Sequence, residues 1–142
     1  MSHLEMSELN ACFGRFQLQT WPDQEHLRRR NYGILWEALE GLPGLVVYPA
    51  NPASGSPFVF PVSLPEGDVR ALSERLAARG VEVRSLMGGA ITQQPAYRDL
   101  SHDGLHNCRA IASQSFFVGI HQTLEEADVR AVGAILREEL SR

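Results

Sequence analysis

The chain has 142 residues, 44% of them hydrophobic and 21% charged, an ordinary composition for one folded domain with a modest core. Its net charge of -4 argues against nucleic-acid and membrane-surface partners; no apolar run approaches the ~20 residues of a membrane span. The start MSHLEMSELN lacks the basic head and apolar stretch of a signal peptide, so a cytoplasmic protein is expected.

Leu9, Cys12, Phe13 and Phe16 fall at helical spacing and predict an amphipathic helix. Trp21-Pro22 is expected to interrupt it, with a second helix restarting at the proline, which a first turn tolerates. Leu27, Asn31, Ile34, Leu35 and Ala38 share one face of that second helix, and Gly41 and Pro43 end it. The run Arg28, Arg29, Arg30 reads as a solvated helix face rather than a phosphate patch. Leu45 to Tyr48 reads as a strand and PANPASGSP as a loop. The alternation of Phe58, Phe60, Val62 and Leu64 predicts a strand, which Pro61 assigns to an edge or a bulge. Val69, Leu72 and Leu76 define a helix closed by Gly80. A strand over 81–85 follows, with Val81 and Val83 on one face and Glu82 and Arg84 on the other.

Leu105, Cys108, Ile111 and Ala112 suggest a short helix, and Ser115 to Ile120 a strand. Thr123 and Glu126 have the spacing of a capping box, opening a last helix with Val129, Val132, Leu136 and Leu140 on its buried stripe. Cys12 and Cys108 form no disulfide framework or zinc pattern; their apolar neighbours suggest buried free thiols. The sum is an α+β domain, a small, mostly antiparallel sheet with helices on one face. Before it comes a long helical segment with few partners in its own sequence. We place the division at residues 1–40 and 41–142.

The stretch VRSLMGGAITQQPAYRD carries the most chemistry. Gly88 and Gly89 let backbone amides press against a ligand. Thr92, Gln94 and Tyr97 add uncharged donors and acceptors suited to a polyhydroxylated molecule such as a sugar; the alternative is a plain surface loop. Arg84 makes either an ion pair with Glu82 or a contact to an anion or hydroxyl. His121 either satisfies a turn or points from a strand end into a cleft. His102 and His106 lack a third ligand, so no metal is expected. A cysteine nucleophile would need an oriented histidine base, and His106 is wrongly spaced from Cys108 for that. All thirteen basic residues are arginines, so the chain cannot form a lysine Schiff base.

Three stretches resemble the DegT/DnrJ/EryC1/StrS family of sugar-modifying enzymes: EMSELNACFGRFQL, GVEVRSLMGGAITQQPAY and QSFFVGIHQTLEEADVRAV. They are similar to the helix past the family's catalytic lysine, its "G-N-x-x-x-Q-P-A-Y" loop and its "F-W-I-G" ending. QPAY with SFFVG looks more like the 3-dehydrases and the aminotransferases nearest to them. The resemblance implies the small C-terminal domain of a fold-type I enzyme that uses pyridoxal phosphate (PLP) or pyridoxamine phosphate (PMP). Its partners would be a nucleotide-linked keto-deoxy sugar, an N-terminal PLP domain and a second copy of itself. Residues 1–40 would be the helix between domains and subunits. Arg84, Gly88, Gly89, Thr92, Gln94, Tyr97 and His121 would face substrate. His3 stands where many members place an asparagine that reaches the partner subunit's cofactor phosphate. Ala90 and Gln122 replace the family's asparagine and proline. Without the lysine, the chain is expected to hold no cofactor alone and to be inert. The alternatives are a non-enzymatic interaction module, which would use the first helix's apolar face, and an independent small hydrolase.

Overall fold

A single helix, α1 (Glu8–Leu39), opens the chain, capped where the Ser7 side chain accepts from the Asn10 amide. The computed structural model describes residues 6–48, 55–86, 88–100 and 104–142; His3, Met87, His102 and most of the PANPASGSP segment lie outside these. The expected break at Pro22 does not occur, because Pro22 lies inside α1. Its missing N–H leaves the Leu18 carbonyl without a helical donor. Side chains bridge this turn instead: Gln24 Nε2 donates to Thr20 Oγ1 at 2.9 Å, and Thr20 Oγ1 to the Gln17 carbonyl at 3.1 Å.

Strands β1 (Val46–Val47), β2 (Val59–Ser63), β3 (Val83–Ser85) and β4 (Ser115–Gly119) form one sheet in the order β1-β2-β4-β3. Every pairing is antiparallel. Pro61 is therefore on an inner strand, contrary to expectation. Among the described residues β1 pairs only with Ser63 and Val62, so Pro61 lies past the end of β1, where no ladder bond calls for its missing donor.

The register sets Phe60 opposite Val118 and Val62 opposite Phe116, and alternation turns all four to one face. Helices α2 (Val69–Ala78) and α4 (Glu126–Leu140) share that core with the last third of α1, through Leu35, Leu39, Leu72, Leu76, Val129 and Leu136. A Cβ at Gly133 would come within 3.0 Å of Ala38 Cβ, so glycine sets how closely α1 and α4 approach. The end of α2 follows its sequence: Gly80 has φ +80°, its amide donates to Ala77, and the Val81 amide to Leu76, the doubly bonded turn that glycine permits.

Three further expectations fail. Cys12 and Cys108 are both exposed. Cys12 lies on the uncovered half of α1, and α3 (His106–Gln114) has no fully buried residue. The capping box does not form: α4 starts from Glu125 with no side-chain cap. Thr123 turns instead to His121, and Glu126 takes two bonds from Arg130. Arg28, Arg29 and Arg30 are half-buried, and two of them tie α1 to the turn before α4.

Glu139, only 3% exposed, accepts from Arg75, Arg79 and Arg142. Burial opposes its ionisation, but the bonds from Arg79 and Arg75 and the charge of Arg142 outweigh that and hold its carboxyl below the ordinary value. Hydrogen bonding and charge from Arg79 do the same for Glu138. A carboxylate depressed in the folded state binds fewer protons there than in the unfolded chain. It therefore contributes stability above the unfolded value near 4.5 and loses it as pH falls through the folded value. Urea midpoints are expected to fall between about pH 5 and pH 3, and Glu139→Gln is expected to flatten that dependence. Parallel curves for variant and parent would refute the assignment.

Candidate functional site

The chain from Gly88 to Leu100 winds into two short 3-10 turns, Ile91–Gln93 and Pro95–Tyr97. Gly88 and Gly89 have φ of +76° and +66°, a pair of left-handed positions that side chains rarely occupy. Gln94 Nε2 donates to the Gly88 carbonyl at 2.9 Å and closes the loop on itself. Gly89 faces α3, where a Cβ would meet Ala112 at 3.6 Å. An apolar cleft of about 400 Å³ lies here, lined by Leu86, Gly89, Cys108, Ile111 and Ala112.

Thr92 is only 5% exposed, and its hydroxyl has no hydrogen-bond partner among the described residues. A buried hydroxyl without a partner costs about 1–3 kcal/mol. Tyr97 is exposed.

Arg84 and His121 come together elsewhere. The face of the sheet turned away from the core carries Phe117 with Arg84 opposite it. A cleft of about 330 Å³ lies there, lined by Glu82, Arg84, Phe117, Gly119, His121 and Leu124. Arg84 Nε and an Nη donate to Glu82 Oε1 at 3.0 and 2.7 Å, with both side chains largely exposed. This is the same-strand pair the sequence allowed. The predicted residues thus fall in two places, glycine loop and sheet-end cleft, whose described linings share no residue.

The sequence reading gave Asn31 a place on a buried face but no role. Its Nδ2 donates to the His121 carbonyl at 2.9 Å, and Arg30 donates to its Oδ1. An asparagine at a core position of a helix was the available signal, since a buried amide must find partners.

Among the described residues no helix is long and apolar enough to cross a membrane, and no three metal-ligating side chains converge.

A sequence model of the DegT/DnrJ/EryC1/StrS aminotransferase family matches residues 2–137. The dTDP-4-dehydro-2,6-dideoxy-D-glucose 3-dehydratase of Saccharopolyspora spinosa is 33% identical over 126 residues, 84% of this chain and 27% of that protein. The dTDP-4-amino-4,6-dideoxy-D-glucose transaminase of Escherichia coli is 27% identical over 139 residues, 93% of this chain and 38% of that one. Among solved structures, the aminotransferase TlmJ from Streptoalloteichus hindustanus matches with a TM-score of 0.82 at 26% identity, over 94% of this chain and 36% of its own. The chain spans well under half the length of the relatives it matches.

Enzymes of the family depend on PLP. The residues of this chain do not by themselves fit that group: there is no lysine amine for its aldehyde, and the guanidinium in the sheet-end cleft is already paired with Glu82. With the family match running over nearly the whole chain and the fold agreeing with it, this chain belongs to the DegT/DnrJ/EryC1/StrS aminotransferase family.

Proposed function

We propose that the chain is the C-terminal, substrate-closing part of a PLP- or PMP-dependent enzyme acting on nucleotide-linked keto-deoxy sugars. It would serve as aminotransferase or 3-dehydratase in making cell-surface or natural-product sugars, with the cofactor held by a large domain outside these residues. Residues 1–40 lead from that domain and lie at the interface of a homodimer; residues 41–142 form the small domain. Arg84, Gly88, Gly89, Thr92, Gln94 and Tyr97 meet the sugar, His121 walls the pocket, and His3 serves the neighbouring subunit's cofactor phosphate. Alone, the chain is inert.

The observation that carries this reading is Thr92. Its buried hydroxyl has no partner among the described residues, in a loop that two left-handed glycines and Gln94 hold in shape. Such a group fits a loop whose partner arrives from outside.

The test is a chimera in which this chain replaces the matching part of the Saccharopolyspora dehydratase. It is expected to retain the cofactor on its own large domain and to turn over the dTDP-keto sugar. Thr92→Val should lower turnover by about tenfold, the worth of one neutral hydrogen bond, while leaving the stability of the free chain equal or higher. A folded, cofactor-loaded chimera that binds no nucleotide sugar would overturn the proposal.

A second reading, a non-enzymatic interaction module, draws on the bare apolar face of α1, where Leu9, Phe13 and Phe16 are exposed.

A further inference from the structure

We propose that Asn31 is a positioning residue for His121, fixing that side chain as a hydrogen-bond donor over the cleft it shares with Arg84 and Phe117. The functional meaning rests on His121 being a site residue; the geometry stands apart from it.

Asn31 is 0% exposed on a stretch of α1 whose other buried residues are Tyr32, Ile34, Leu35 and Leu39. An apolar residue would fill that position without needing partners. What the amide adds is a hold on a turn about ninety residues away. Arg30 donates to Asn31 Oδ1 from Nε at 3.1 Å and from an Nη at 2.9 Å. A guanidinium only donates, so the amide orientation is settled and Nδ2 must point at the His121 carbonyl, 2.9 Å away. The same Nη reaches the Leu124 carbonyl at 3.0 Å, and Arg28 Nε reaches Gln122 Oε1 at 2.9 Å. One face of α1 thus grips the turn at His121, Gln122 and Leu124.

The gripped turn sets the imidazole. The Thr123 amide donates to His121 Nδ1 at 3.3 Å, and only a lone pair can accept it. The Thr123 hydroxyl, 2.8 Å from the same nitrogen, then donates as well. The ring hydrogen is left on Nε2. His121 lines the cleft, so the matching ligand atom is an oxygen acceptor, whether hydroxyl, carbonyl or phosphate oxygen, and not an N–H donor.

The test uses the full chain labelled with ¹⁵N, at a pH above the ordinary imidazole range, with ring ¹H–¹⁵N correlations reporting the His121 tautomer. The Nε2–H form is expected to dominate by about tenfold or more, the worth of one backbone hydrogen bond. Asn31→Asp keeps the size but sets an acceptor against the His121 carbonyl, with Arg30 balancing its charge. It is expected to move the ring toward the mixture of free imidazole and to speed exchange of the Thr123 amide by about tenfold. Arg30→Gln, on the half-buried side of the network, should do the same more weakly and supplies the reading should Asn31→Asp fail to fold. A mixed tautomer in the parent, or a folded variant with unchanged tautomer and exchange, would overturn the proposal. Neither readout needs sugar or cofactor, so a failed chimera with a fixed tautomer would sink only the sugar reading.

Discussion

Replacing Phe60 by alanine is expected to lower the unfolding free energy by about 3–5 kcal/mol. Phe60 is the second residue of β2, fully buried, opposite Val118. Tyr32 of α1 meets it edge-on, with ring centroids 4.8 Å apart at 62°. Truncation empties a space walled by sheet and helix, and neither can collapse into it without breaking the register. Domain stabilities are only about 5–15 kcal/mol, so a large part of the population should unfold under mild urea. Urea titration followed by circular dichroism measures this. A loss below about 1 kcal/mol, with an unchanged slope, would show that the core is not closed around Phe60.

The second large effect concerns association. Met6, just before α1, and Leu9, Phe13, Phe16, Leu18 and Trp21 on its first half are 39–72% exposed. Apolar surface on this scale is rarely left bare, and the chain is expected to dimerise or aggregate when isolated. Phe13→Glu with Phe16→Glu removes two side chains worth about 1.5–3 kcal/mol each on burial. That should weaken association by about two to four orders of magnitude while leaving the core untouched, because neither residue belongs to it. Size-exclusion chromatography with light scattering reads the outcome. A clean, stable monomer from the unaltered chain would falsify the idea that this face awaits a partner.

Much of the fold was written locally. The Gly80 stop and the period-two pattern of β2 each act within a few residues, so β2, α2 and the stripe of α4 fell where the spacing set them. The paired glycines and the uncharged donors after them likewise made the Gly88–Tyr97 loop visible, although its 3-10 winding and the return of Gln94 to the Gly88 carbonyl were not. The family resemblance lived in the same short stretches, which is why it survived to the structure.

What the sequence could not decide is which partner a group meets once the chain is folded. Thr123 had the spacing of a cap, but His121 stood closer to its hydroxyl once the β4–α4 turn was folded. Pro61 signalled an edge, but it stands on an inner strand just past the last residue that the short β1 pairs with. The cysteines had apolar neighbours along the chain, but both are exposed among the described residues. The arginines read as a solvated face, and two of them proved to hold the turn that carries His121. The local rules by themselves determined most of the elements, the Gly80 stop and the stretches that carry the family. Only the tertiary structure decided which polar group met which, because hydrogen bonds and burial depend on proximity in space, which a fold creates between residues 31 and 121 and no spacing rule can contain.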